Sequence, residues 1–116
     1  MGLFDRLRRR GRAGVLRTAS DADTEHLVQW AASRRGVEGF VEPKTTVTDT
    51  TVVLVAHDGE WTRRRVDGDG GARKVGKQLK IPIYDAAKVG YPQRMRDHDA
   101  RQRALRDRQR RADLDP

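Results

Sequence analysis

The stretch TTVVLVAHDGEWTRRRV, residues 50–66, decides the fold. Val52-Val53-Leu54-Val55 is apolar at consecutive positions, so both faces of this strand must be covered, and it belongs at the centre of a sheet. Asp58-Gly59 is a two-residue hairpin signal, and Trp61 to Val66 follows as the return strand. With Asp58 and Gly59 as the loop, Ala56 faces Trp61, Leu54 faces Arg63 and Val52 faces Arg65. A strand carrying Arg63, Arg64 and Arg65 belongs at an edge, where its charges also discourage edge-to-edge pairing.

Upstream, Ser20 to Arg35 reads as a helix. Ser20 and Asp23 have capping-box spacing, Asp21, Asp23 and Glu25 complement the N-terminal dipole, and Leu27, Trp30, Ala31 and Arg34 follow helical spacing. Gly36 suits the left-handed residue that ends it. Val37 to Glu42 reads as a strand closed by Pro43, followed by a β-branched run from Thr45 to Thr51. Downstream, Asp67 to Gly71 reads as a glycine-rich loop, Ala72 to Lys80 as a short helix and Ile81 to Tyr84 as a strand. A right-handed crossover would set that strand parallel to a hairpin strand. Pro92 suits the first turn of a last helix, 92–111, whose few apolar residues (Met95, Ala100, Ala104, Leu105) allow its start to dock while its end projects.

These elements predict a mixed α/β (α+β) domain in the order α-β-β-β-α-β-α. A small mixed sheet of about four strands has helices packed on it and a projecting C-terminal helix. Three regions follow: a basic, flexible arm at 1–17, a compact domain at 18–91, and an Arg-rich helix and tail at 92–116.

The net charge of +8 sits at the ends. Residues 1–17 hold six arginines against one aspartate, and residues 92–116 hold eight against five. Residues 18–91 carry 11 basic and 11 acidic side chains. A GC-rich genome accounts for 20 Arg beside 5 Lys, but it does not account for an excess confined to the two ends. The absence of cysteine excludes disulfides, thiolate metal sites and cysteine nucleophiles. No apolar run is long enough for a signal peptide or a bilayer span, so a cytoplasmic location is expected.

Little here assembles a catalytic centre. His26, His57 and His98 lack metal-ligand spacing. Asp67-Gly68-Asp69-Gly70-Gly71 lacks the ending of a phosphate-binding P-loop and the closing glutamate of a calcium loop. Glu42-Pro43-Lys44 has the Glu-x-Lys spacing of metal-dependent nucleases, with a proline where a regular strand is wanted. No catalytic residue, metal or cofactor is assigned. Trp61, Arg63 and Arg65 share one face of their strand, where an aromatic beside arginines can stack on a base and contact phosphates. In the alternative role, Trp61 anchors the hairpin to the core.

The blocks VEGFVEPKTTVTDTTVVLVAHDGEWTRRRV (37–66) and IPIYDAAKVGYPQRMRD (81–97) resemble small actinobacterial proteins of unassigned function, some carrying a generic oxidoreductase label. The resemblance covers much of residues 20–98 and brings no catalytic residues. No G-x-G-x-x-G fingerprint supports dinucleotide binding. The expected function is a non-catalytic module contacting RNA, with the ribosome as one candidate partner, or DNA. Arg6, Arg8, Arg9, Arg10, Arg63, Arg65, Arg106, Arg108, Arg110 and Arg111 would contact phosphates and Trp61 a base. The alternatives are a protein-interaction module using Leu3, Phe4, Leu7 or Trp61, and a small nuclease-like enzyme.

Overall fold

A computed structural model describes residues 20–115. The arm at 1–17, with Arg6, Arg8, Arg9 and Arg10 and the apolar Leu3, Phe4 and Leu7, lies outside the described residues. The described chain is a mixed α+β fold with a four-stranded sheet.

Helix α1 (Asp21–Ala32) starts where the sequence predicts, because the capping box closes in both directions: the Asp23 N–H donates to Ser20 Oγ at 3.2 Å, and the Ser20 N–H donates to the Asp23 carboxylate at 3.1 Å. Its inner face buries Leu27 and Trp30. The helix stops three residues short of Arg35. Residues 33–36 turn toward the hairpin instead, where the His57 N–H donates to the Arg35 carbonyl at 2.9 Å and Arg34 pairs with Glu60 at 2.7 Å. Gly36 takes the left-handed conformation at φ +58°.

Strands β1 (Glu38–Glu42), β2 (Thr51–Val55) and β3 (Trp61–Arg65) form an antiparallel meander. Val52, Val53, Leu54 and Val55 are fully buried, as a central strand requires, and β3 is an edge. The β-branched run before β2 begins as a turn rather than as strand, because the Thr45 hydroxyl accepts the Thr48 N–H at 3.0 Å and competes with the sheet.

The hairpin register differs by one residue from the sequence expectation. Val55 faces Trp61, Val53 faces Arg63 and Thr51 faces Arg65. The loop is three residues long, 57–59, with the Gly59 N–H donating to the Ala56 carbonyl at 3.0 Å and Gly59 at φ +89°. An Asp-Gly pair serves either loop, as a two-residue turn or as a type I turn ending in a left-handed glycine. The shift places Trp61, Arg63 and Arg65 on the sheet face that carries Val53 and Val55 rather than the face of Val52 and Leu54.

Helix α2 (Gly68–Leu79) begins four residues before Ala72, so the glycine-rich stretch is its first turn and not a loop. Gly68 at φ +64° turns the chain directly off β3, and the Gly71 N–H donates to the Asp67 carbonyl at 2.9 Å. Gly76 is a contact position: a Cβ there would lie 2.5 Å from Ile83 Cγ1, so the missing side chain lets α2 approach β4. β4 (Ile83–Asp85) runs in the direction of β3, as the crossover demands, but its hydrogen-bonded neighbour is β1. Both edges of β2 are occupied, and the Gly39 N–H donating to Pro82 O at 2.9 Å ties the new strand to β1.

One face of the sheet packs under α1 and α2 around Leu27, Val52, Leu54, Val66 and Val75. The other carries Phe40, Val53, Val55 and Met95, flanked by Trp61 and Tyr91. A single turn, α3 (Ala86–Val89), capped by Asp85, leads to α4 (Gln93–Leu114), for which Pro92 is the N-cap residue. No helix among the described residues is long and apolar enough to cross a membrane.

Candidate nucleic-acid interface

Only the root of α4 is docked. Met95 is buried in the second core cluster. Arg94 donates through Nε to the Ala56 carbonyl at 2.9 Å and through Nη2 to Glu38 at 2.6 Å. Asp99 accepts the Trp61 indole N–H at 2.8 Å, and Arg101 reaches the Asp58 carbonyl at 3.1 Å. Beyond that contact every residue from Gln102 to Asp115 is exposed. At 1.5 Å per residue this free segment extends about 20 Å from the body.

A helix polar on all sides persists through its own side-chain pairs. Arg110 pairs with Asp107, and Gln109 donates to Asp113 at 3.1 Å. The remaining arginines face solvent. Arg103, Arg106, Arg108 and Arg111 make no ion pair or side-chain hydrogen bond with any described residue. Arg103, Arg106 and Arg110 follow i, i+3, i+7 spacing and share one side. Arg96, Arg103 and Arg110 extend that side as a row with seven-residue steps, about 10.5 Å apart along the axis.

The residues nominated on β3 are placed differently. Trp61 is half-buried beside the second core cluster, holds Asp99 of α4 and lies under the Arg63 guanidinium at 5.2 Å. Arg63 forks onto both oxygens of Glu42 at 2.6 and 3.0 Å. Both side chains thus brace the root of α4 and the sheet end. Arg65 pairs with no described residue. Arg106, Arg108, Arg110 and Arg111 lie seven or more residues further along the helix than Asp99, so the β3 residues and the helix arginines are two groups and not one patch.

Glu42 is the centre of a polar cluster that the sequence did not single out as such. Besides Arg63 it accepts the Thr51 hydroxyl at 2.6 Å and the Tyr91 hydroxyl. Burial pushes its carboxyl up, and the bonds from Arg63, Thr51 and Tyr91 together outweigh that and hold it below the ordinary glutamate range. Burial and the same carboxylate raise the Tyr91 phenol. Glu42 is thus engaged by Arg63 of β3, and no three His, Cys, Asp or Glu side chains converge on a metal-sized site among the described residues. His26 bonds Thr62 at 2.7 Å, and burial followed by Arg64 and Arg34 lowers its pKa.

An open groove on α1 runs past His26, Gln29 and Trp30, its end closed by Arg34 stacked 4.3 Å over the Trp30 ring. A smaller hollow of about 260 Å³ lies between β4 and the loop into α4, walled by Phe40, Tyr84 and Tyr91. Sequence reasoning missed this aromatic group because its members come from β1, β4 and a connector. The one local signal was two tyrosines flanking a short alanine-containing turn. The chain matches no protein-family model, no curated protein and no solved structure.

Proposed function

We propose that this protein binds nucleic acid, RNA foremost, by laying the free part of α4 along the phosphate backbone. The supporting observation is the exposed segment 102–115, where five arginines lie on a helix that touches nothing else described. Each guanidinium offers a planar fork of donors suited to phosphate oxygens. With the core charge-balanced, the helix gives the polyanion an electrostatic target without inviting it onto the whole surface. Trp61 and Arg63 act in this reading by fixing the direction in which α4 leaves the domain. Such binding is largely indifferent to sequence, since phosphate contacts position a protein without reading bases.

The test is titration of the full chain with single-stranded RNA, single-stranded DNA and duplex DNA over a salt series. Binding is expected to weaken steeply as salt rises, by about 0.7 units of log K per log salt for every phosphate contact on a single strand. Absence of binding at low salt, or affinity indifferent to salt, overturns the proposal. The first outcome would favour a protein partner on the exposed Leu105 and Leu114.

A further inference from the structure

We infer that the hollow walled by Phe40, Tyr84 and Tyr91 receives one unpaired nucleobase of the strand that α4 holds; this inference rests on the nucleic-acid reading above.

Three of the six aromatic residues in the chain meet here. The Phe40 and Tyr84 ring centroids are 5.5 Å apart with planes tilted by 33°, and Phe40 and Tyr91 are 6.2 Å apart at 55°. Phe40, at 4% exposure, is the floor. Tyr84 at 39% and Val89 at 61% stand at the mouth, leaving apolar and aromatic surface facing water beside a polar helix. The volume of about 260 Å³ lies below the range typical of drug-sized ligand sites and suits a single small ring system.

Position selects a base among flat apolar occupants. Gly90, Tyr91 and Pro92 line the hollow and run directly into α4, so a strand laid along the helix from Arg103 toward its root meets the hollow about 17 Å further back, within reach of the same strand. Glu38 on the rim is neutralised by Arg94 at 2.6 Å, so the mouth does not repel a polyanion. Bases stack on aromatic side chains irrespective of identity, because each presents a π-face. A base inside a duplex is not available for this, whereas one in a single strand or loop is, which is how proteins commonly recognise RNA.

The experiment compares an oligoadenylate RNA strand with a fully paired RNA duplex of equal length, at one low salt concentration, on the full chain and on Tyr84→Leu and Tyr84→Phe. The wild type is expected to prefer the single strand. Tyr84→Leu should lose about tenfold in single-strand affinity while duplex affinity is unchanged, and Tyr84→Phe should bind as the wild type. Tyr84 is exposed on the edge strand β4, and a thermal melt verifies folding. If the leucine variant unfolds, the charge-neutral Val89→Asn at the mouth replaces it, with a loss expected on the single strand alone. A wild-type preference for the duplex, a Tyr84→Leu substitution that leaves single-strand binding intact, or equal loss on both probes overturns the inference and leaves the helix reading standing. Binding of the wild type to neither probe overturns both.

Discussion

Replacing Arg103, Arg106, Arg108 and Arg111 together by glutamine is expected to remove most RNA binding while leaving the fold intact. These four side chains pair with no described residue, so no contact among the described residues depends on their charge. If each holds one phosphate, the slope of log K against log salt becomes shallower by about 3 units. Affinity near 0.1 M salt should then fall by roughly a hundredfold or more, since a protein making six to ten such contacts loses about 10³–10⁵ over a fourfold rise in salt. The thermal midpoint should stay within a few degrees of the wild type, as for most surface substitutions. Replacement of the same four by lysine is the matching control: it keeps the charge and hence the slope, and gives up only the planar fork. Retained affinity in the glutamine variant would move the binding surface off α4.

Gly59→Ala is expected to be the most damaging single substitution at the site. Gly59 is buried at φ +89°, and an added Cβ would lie 1.9 Å from the Arg94 carbonyl oxygen and 2.9 Å from His98 Cβ. The backbone conformation is costly for alanine, and the nearest obstacle is main chain that cannot rotate aside. The hairpin tip and the first turns of α4 must therefore separate. A loss of about 3 kcal/mol is expected, which for a domain of this size lowers the melting midpoint by roughly 15 °C. The bonds from Trp61 to Asp99 and from Arg94 to Ala56 should weaken with it, visible as a shift of Trp61 fluorescence. Asp58→Ala next to it is exposed and loses one bond, from the Glu60 N–H at 3.0 Å, so its cost should be far smaller. Equal effects of the two substitutions would contradict the packing described.

The contrast between these neighbours shows what the sequence could reveal. The continuous apolar run of β2 announces a central strand, Ser20 with Asp23 announces a helix start, and the sparse apolar content of α4 announces a helix with a free end. Each of these is set by local chemistry. The register of the hairpin was not legible, because Asp58-Gly59 fits a two-residue or a three-residue loop, and the choice carries Trp61 from one face of the sheet to the other. Its presence on the α4 side follows from Asp99, 38 residues away. The start of α2 was misplaced for a related reason: glycines read as loop, yet here they form a first turn that sets Ala72 and Val75 against the core.

Arg106, Arg108, Arg110 and Arg111 of α4 were legible from charge alone, since an exposed helix places residues by spacing and needs no partner, whereas Arg103 was not singled out. Arg63 and Trp61 were legible as a pair on one strand face, but their engagement with Glu42 and Asp99 was not. The aromatic hollow and the Glu42 cluster are both assembled by the sheet order β3-β2-β1-β4, which brings Tyr84 and Tyr91 against β1. No spacing in the sequence encodes that neighbourhood.

The central claim is that α4 between Arg103 and Arg111 is the element that meets the polyanion. It is tested most directly by following arginine side-chain Nε–Hε resonances of the full chain by NMR as single-stranded RNA is added at low salt. The account predicts that Arg103, Arg106, Arg108, Arg110 and Arg111 shift together, and that Arg34 and Arg63, held by Glu60 and Glu42, remain in place. Shifts concentrated at Arg34, Arg63 and the α1 groove, with the α4 arginines unmoved, would contradict it.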